Sequence, residues 1–156
     1  MPNTYTQLYI HIVFAVKHRE ALIIEAIRER IEKYITGIIN GKKQKLYAIY
    51  IMPNHLHLLV SINPDTAISD LVRIIKSEST KFINDNNLTQ SKFYWQEGFG
   101  AFSYSKSQIR NVIDYILNQP EHHRTKRFKE EYIDFLNKFE IEYNDKYLFD
   151  WIDDGN

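Results

Sequence analysis

Two histidines one residue apart, His55 and His57, lie in the apolar run PNHLHLLV at residues 53–60. Successive side chains of a β-strand alternate between its two faces, so both imidazoles are predicted to project from the same side, roughly 6–7 Å apart. The leucines and valine of the run would then point the other way, into a core. A pair of imidazoles on one strand face is either polar sheet surface or a pair of metal ligands.

A tyrosine and a glutamine four residues apart, Tyr115 and Gln119, lie in the segment VIDYILNQ. Residues four apart on a helix lie one above the other, so the two side chains are predicted to share one polar side. The alternative for Tyr115 is simple packing, since the chain has 11 tyrosines, and for Gln119 it is a solvated surface amide. The helix has an apolar stripe without them, formed by Ile109, Val112, Ile113, Ile116 and Leu117.

Periodicity and turn residues divide the chain into alternating strands and helices. The order β-α-β-β-α-β is typical of the α+β class and predicts a ferredoxin-like (split βαβ) antiparallel sheet with helices on one face. A C-terminal tyrosine-bearing helix and a further amphipathic helix follow. His55 and His57 would lie on the face that the first two helices leave free. Strands are predicted at 4–17, 45–53, 55–62 and 93–105, and helices at 20–39, 67–85, 105–119 and 127–143.

Length and composition indicate one globular domain of 156 residues with 44% hydrophobic content. We place its core at about residues 4–120, with the C-terminal helix and an acidic tail at about 121–156. The sequence has no cysteine, which excludes disulfides and thiolate metal sites. It has no apolar stretch of about 20 residues and no signal-peptide pattern, so we expect a cytoplasmic protein without a membrane partner.

The formal net charge of zero conceals an uneven distribution. Residues 1–130 carry 18 Lys and Arg against 12 Asp and Glu, whereas residues 131–156 carry 2 against 8. A basic surface on the body of the protein could therefore attract phosphate groups. An ordinary mixed surface explains the charges equally well.

The run PNHLHLLV resembles the HUH motif (His, hydrophobic, His) of the small single-tyrosine HUH transposases of bacterial insertion sequences, the TnpA type. REP-associated tyrosine transposases are close relatives of this family. VIDYILNQ resembles the tyrosine helix of the family, and YIMPN resembles the turn that commonly precedes its HUH motif. The likeness extends over about residues 5–119 and includes three further segments, HIVFAVKHRE, LVRIIKSESTKF and FYWQEGFGAFSYS.

This resemblance implies a DNA transposase with Tyr115 as nucleophile and with His55, His57 and Gln119 as ligands of a divalent metal, Mg²⁺ or Mn²⁺. It implies cleavage and rejoining of single-stranded DNA at hairpin-marked ends through a 5′-phosphotyrosine intermediate. It also implies a homodimer, in which the tyrosine helix of one subunit often completes the metal site of the other. Two neutral imidazoles and one amide oxygen would leave coordination positions open for substrate.

Cations predicted to contact DNA are Lys17 and Arg19, after the first strand, and Arg73 and Lys76, on the second helix. Tyr94 or Trp95 could stack on unpaired bases. The alternatives are a solvated helix face and core aromatics. His122 and His123 could touch metal or phosphate, but the prediction is that they are surface residues of a basic connector.

Two other functions are consistent with these patterns. A domesticated relative of the REP type would perform the same chemistry on repeat-associated hairpins without moving itself. A non-catalytic ferredoxin-like module would bind single-stranded nucleic acid through aromatic residues on its strands. Such a module needs neither His-x-His nor Tyr-x-x-x-Gln, so the presence of both patterns favours the enzyme.

Overall fold

The computed structural model describes residues 3–144 and Leu148, except for the side chain of Arg19. The acidic tail beyond Glu140 lies largely outside these residues. Among the residues described, no helix has the length and apolarity to cross a membrane. In chain order the elements are β1 (Tyr9–Ala15), α1 (Glu25–Gly41), β2 (Lys45–Met52), β3 (His55–Ser61), α2 (Ile68–Asp85), β4 (Gly100–Tyr104), α3 (Ile109–Leu117), α4 (Gln119–His122) and α5 (Phe128–Lys138).

The four strands form one antiparallel sheet in the order β2-β3-β1-β4. Strand β3 therefore lies between β1 and β2, the two strands that helix α1 connects, which is the split βαβ arrangement. The ferredoxin-like fold predicted from the element order is confirmed. In the register of β1 and β3, Val13 lies opposite His57 and Ala15 lies opposite His55.

One face of the sheet carries the larger hydrophobic core, against helices α1 and α2. Leu56, Leu58 and Val60 of β3 are fully buried there, together with Ile12 and Phe14 of β1. The alternation predicted for β3 is therefore correct, and it directs His55 and His57 to the opposite face.

The opposite face is covered, although the element order predicts that it is free. Helix α3 packs Ile109, Val112 and Ile116 against strands β2 and β3, and α5 packs its aromatic residues against β1 and β4. The reason is that each helix has an apolar stripe that must be buried, and the open sheet face is the nearest apolar surface. His55 and His57 therefore lie in an interior layer, with exposed fractions of 1% and 0%.

Several predicted element boundaries were wrong. Strand β4 begins at Gly100, because Phe93 and Trp95 reach the core from irregular backbone that has a single bridge, between Val16 and Trp95. Helix α3 ends at Leu117, which is 51% exposed although it was predicted to lie on the buried apolar stripe of the helix. Gln119 begins the short helix α4, whose first turn tolerates Pro120.

Gly100, the first residue of β4, lies close to helix α5. A Cβ atom added there would lie 2.8 Å from Oη and 2.9 Å from Cε1 of Tyr132, a buried residue of α5. We expect Gly100→Ala to lower the free energy of unfolding by about 1–3 kcal/mol through overpacking.

Gly37 is the matched control, because a Cβ atom added at this exposed position of α1 meets nothing within 4 Å. Gly37→Ala should raise the free energy of unfolding by about 0.5–1 kcal/mol through helix propensity. Urea unfolding measures the free energy of unfolding of both variants. A Gly100→Ala protein as stable as wild type would contradict the close packing of Tyr132 against Gly100.

Candidate active site

The turn between β2 and β3 fixes the first histidine. Oδ1 of Asn54 lies 2.7 Å from Nδ1 of His55, and the ring of His55 stacks on Phe128 with centroids 3.9 Å apart. Because Asn54 accepts the hydrogen on Nδ1, Nε2 of His55 keeps its lone pair. This nitrogen faces the space between the sheet and helix α5.

Three imidazoles converge on one carboxylate oxygen, Oε1 of Glu131 in α5. The distances from this oxygen are 3.0 Å to Nε2 of His57, 3.1 Å to Nε2 of His123 and 3.7 Å to Nε2 of His55. The four residues offer one ligand atom each, and these atoms all lie within 4.8 Å of one another. The cluster could therefore hold a metal ion.

Tyr115 and Gln119 meet the second oxygen of the same carboxylate. The hydroxyl of Tyr115 donates a short hydrogen bond to Oε2 of Glu131, and Nε2 of Gln119 donates to that oxygen at 3.1 Å. Oε1 of Gln119 lies 2.9 Å from Nε2 of His123. One carboxylate thus links the tyrosine hydroxyl to the cluster of imidazoles, and all the residues belong to one chain.

The donor set suits a divalent transition metal. Three imidazole nitrogens and a carboxylate oxygen, with the amide oxygen of Gln119 adjacent, make a softer site than the two imidazoles and one amide predicted from sequence. The residues present fit a bound metal, because imidazoles that share one buried carboxylate are held with their nitrogens toward a common centre.

Burial and the neighbouring charges shift two pKa values in the site. Burial alone would raise the pKa of the Glu131 carboxyl, but the imidazoles of His57, His123 and His55 outweigh it and hold that pKa well below its ordinary range. Burial, followed by the charge of Glu131, raises the pKa of the Tyr115 hydroxyl above its ordinary value. Tyr115 is therefore a neutral phenol beside a carboxylate that accepts its hydrogen bond.

A third buried imidazole of the sheet supports His57 from behind. Nε2 of His11, on β1, lies 2.8 Å from Nδ1 of His57, and the His11 side chain is completely buried. Burial, then the neighbouring His57, lowers the pKa of His11 well below its ordinary value, and the same two causes lower that of His55. Both residues are therefore neutral in the folded protein at neutral pH.

We expect acid to destabilise the metal-free protein through these two residues. Below about pH 6.5 the unfolded chain protonates His11 and His55 and the folded protein does not, so stability present above pH 6.5 is lost as the pH falls. The loss is about 1.4 kcal/mol per pH unit for each group.

Urea unfolding in the presence of a chelator, over a pH range of about 7.5 to 5.5, measures this slope. His11→Gln should reduce the slope by about 1.4 kcal/mol per pH unit. Equal slopes in wild type and His11→Gln would contradict the neutral state of His11.

The structure brings the four predicted site residues Tyr115, His55, His57 and Gln119 into contact with one another or with Glu131. It also adds two residues that the sequence analysis missed. His123 was predicted to be a surface residue and lies in the cluster, while Glu131 was not considered. A signal for Glu131 exists, since it falls on the apolar stripe of α5, three residues after Phe128.

Two of the predicted DNA-contacting cations line a cavity of about 670 Å³ between α2 and residues 94–99. Arg73 and Lys76 line it, and the ammonium of Lys17 lies 5.5 Å from the ring of Tyr94, which is 44% exposed. Burial lowers the pKa of Lys76 to about 8, and its ammonium donates to Gln96 O and Gly98 O.

The other candidates around this cavity differ from expectation or are not described. Trp95 is held in the core, where its indole donates to Ser79 Oγ, so it is not a free stacking surface. The side chain of Arg19 lies outside the described residues.

The family profile of IS200-like transposases matches residues 4–119, which include His55, His57, Tyr115 and Gln119. The chain belongs to this family. As an IS200-like transposase it is similar to the ISDra2 transposase TnpA of Deinococcus radiodurans, with 24% identity over 118 residues, 72% of this chain and 84% of that protein.

Two solved structures share the fold of this IS200-like transposase. One is the crystal structure of a protein of Deinococcus radiodurans R1 assigned as a transposase, with a TM-score of 0.61 and 22% identity over 76% of this chain and 95% of the other. The second is a REP-associated tyrosine transposase bound to a REP hairpin, with a TM-score of 0.60 and 17% identity over 79% of this chain and 73% of the other.

Proposed function

We propose that this IS200-like transposase cleaves and rejoins single-stranded DNA in a metal-dependent reaction, with Tyr115 as the nucleophile and a 5′-phosphotyrosine intermediate. The observation that carries the proposal is the shared carboxylate of Glu131. One oxygen of this group accepts the hydrogen bond of the Tyr115 hydroxyl, and the other lies among three imidazole nitrogens. A phenol and a set of metal donors thus meet at one point in the interior.

In the proposed cleavage step the phenolic oxygen of Tyr115 forms a bond to phosphorus and the P–O3′ bond breaks. The proton of the phenol leaves along its hydrogen bond to Oε2 of Glu131 and passes on to the departing 3′-oxygen, which ends as a hydroxyl. The bond energy is retained in the phosphotyrosine. Attack of a 3′-hydroxyl on that phosphorus then rejoins DNA and releases Tyr115.

We propose His55, His57, His123 and Glu131 as the metal ligands, with the amide oxygen of Gln119 as a further donor. A metal bound there would polarise the scissile phosphate and neutralise charge that develops on its oxygens. Of the two metals predicted from sequence, Mn²⁺ suits a set with three imidazoles better than Mg²⁺, which prefers oxygen ligands. The role of His11 is to hold the ring of His57 in place through the hydrogen bond between them.

We propose single-stranded DNA with hairpin ends as the substrate. A fold neighbour is bound to a REP hairpin, and residues 1–130 carry an excess of basic groups, of which Lys17, Arg73 and Lys76 lie around the cavity beside α2. We propose Arg19 as a fourth DNA contact from its sequence position. A domesticated REP-type enzyme remains the alternative, and it would use the same residues for the same step.

End-labelled oligonucleotides test the reaction class and its polarity together. We expect a 3′-labelled single strand from the flanks of the gene to become covalently attached to the protein with Mn²⁺, and a 5′-labelled strand to be released as a shorter product. Labels with the opposite behaviour would mean a 3′-phosphotyrosine. Tight binding of hairpin DNA without any adduct would favour the non-catalytic module.

Mixing two inactive variants tests whether a dimer is needed to complete the site. Tyr115 lies beside His57, with ring centroids 6.0 Å apart in one chain, so we expect a mixture of His57→Ala and Tyr115→Phe to remain inactive. The homodimer itself stays a proposal, which sedimentation would measure. Cleavage regained in the mixture would show that Tyr115 works with the histidines of a second subunit.

A further inference from the structure

A second, smaller cavity of about 290 Å³ lies beside Tyr115, among β1, β4, α3 and α5. Buried His11 and Phe135 line it together with half-buried Tyr104 and Tyr115, and exposed Asn111 and Lys138 stand at its rim. The proposed metal ligands are not among its lining residues in the described part of the chain. The reaction proposed above gives this space no role.

His11 leaves a hydrogen-bonding group unused at this cavity. Its Nδ1 is buried and has no hydrogen-bond partner among the described residues. Its other ring nitrogen, Nε2, is already engaged, since it lies 2.8 Å from Nδ1 of His57. A buried ring nitrogen without a partner calls for a ligand or a water molecule.

The other lining residues indicate the chemistry of that ligand. Tyr104 and Phe135 offer aromatic surfaces, and the ammonium of Lys138 lies 5.5 Å from the ring of Tyr104. Aromatic rings beside a cation are the features that bind unpaired bases and their phosphates. The volume lies just below the range for ligand pockets, which is about 300–1,000 Å³, so it suits one nucleotide and not a longer segment.

We infer that this cavity is a subsite for one deoxynucleotide of the DNA strand, adjoining the phosphate that Tyr115 attacks. The base would lie against Tyr104 and Phe135 with a polar atom toward His11, and its phosphate would lie near Lys138. The assignment of this nucleotide to the reacting strand rests on the proposed function. The binding of a nucleotide in the cavity can be measured without any cleavage.

The test is a titration of the full-length protein, loaded with diamagnetic Mg²⁺, with each of the four deoxynucleoside 5′-monophosphates at millimolar concentrations. NMR spectra of labelled histidine rings and backbone amides report the binding. We expect at least one nucleotide to cause saturable shifts of the His11 ring and of the Asn111 amide. No saturable shift at His11 with any of the four would overturn the inference.

Asn111→Phe fills the rim of the cavity from an exposed helix position, and Asn137→Phe is the matched change at an exposed position of α5 that does not line it. Asn111→Phe should weaken nucleotide binding at least about tenfold, and Asn137→Phe should leave it unchanged. Equal binding by both variants would show that the nucleotide lies elsewhere. If Tyr115 cleaves DNA but no nucleotide binds, only this inference fails; if nucleotides bind but no adduct forms, only the proposed function fails.

Discussion

Tyr115→Phe is expected to abolish the covalent protein–DNA adduct and to reduce strand cleavage at least about 10³-fold, as the loss of a nucleophile does in other enzymes. The ring keeps its contacts with His122, at a centroid distance of 4.3 Å, and with Phe135. Only the hydroxyl and its bond to Glu131 are lost. Oε2 of Glu131 loses the hydrogen bond from the tyrosine but still accepts one from Gln119, so the protein should fold.

A denaturing gel with single-stranded oligonucleotides and Mn²⁺ measures both the adduct and the rate. Tyr47→Phe is the control, because Tyr47 is a half-buried tyrosine that packs edge-on against Tyr9 on the same side of the sheet as α3. We expect the control to cleave like wild type. An adduct that survives in Tyr115→Phe would assign the nucleophile to another residue.

Glu131→Gln is expected to have the second largest effect. The change keeps the size of the side chain and removes the charge that three imidazoles and the Tyr115 hydroxyl share. Loss of a group that merely orients metal ligands costs about 10–100-fold in metal affinity, so loss of a ligand should cost at least that much. Cleavage should fall with it, because the phenol also loses its proton acceptor.

Calorimetric titration with Mn²⁺ measures the affinity independently of DNA cleavage. Glu130→Gln is the matched control, since Glu130 is the neighbouring, exposed residue of α5 and pairs with Arg127 at the surface. We expect Glu130→Gln to bind Mn²⁺ like wild type. Unchanged affinity in Glu131→Gln would show that the carboxylate is no ligand, and would leave the imidazoles and Gln119 as the donors.

The sheet and the direction of its histidines could be predicted because they depend on local periodicity. Alternation within PNHLHLLV determines which side chains of β3 face α1 and α2, and the element order determines the strand order. The same local reasoning failed where a segment is buried without regular structure. Phe93 and Trp95 have the composition of a strand, but they fill the core from a loop.

The closure of the site could not be predicted in the same way. Glu131 meets His57 across 74 residues of sequence, and this contact depends on how α5 packs over β1 and β4. A charged residue on the apolar stripe of α5 was the available signal, and its meaning becomes clear only when His55 and His57 of the sheet and His123 after α4 lie around it. His123 escaped prediction because the turn after α4, which brings it back to the cluster, has no periodicity of its own.

Peptide mapping of the adduct tests most directly whether Tyr115 itself becomes bonded to DNA. The protein would be incubated with Mn²⁺ and single-stranded DNA from the flanks of its gene, digested with nuclease and trypsin, and analysed by mass spectrometry. We expect a nucleotide on the peptide that covers residues 111–124, attached at Tyr115 through a 5′-phosphate. A nucleotide attached to any other residue would show that Tyr115 is not the nucleophile.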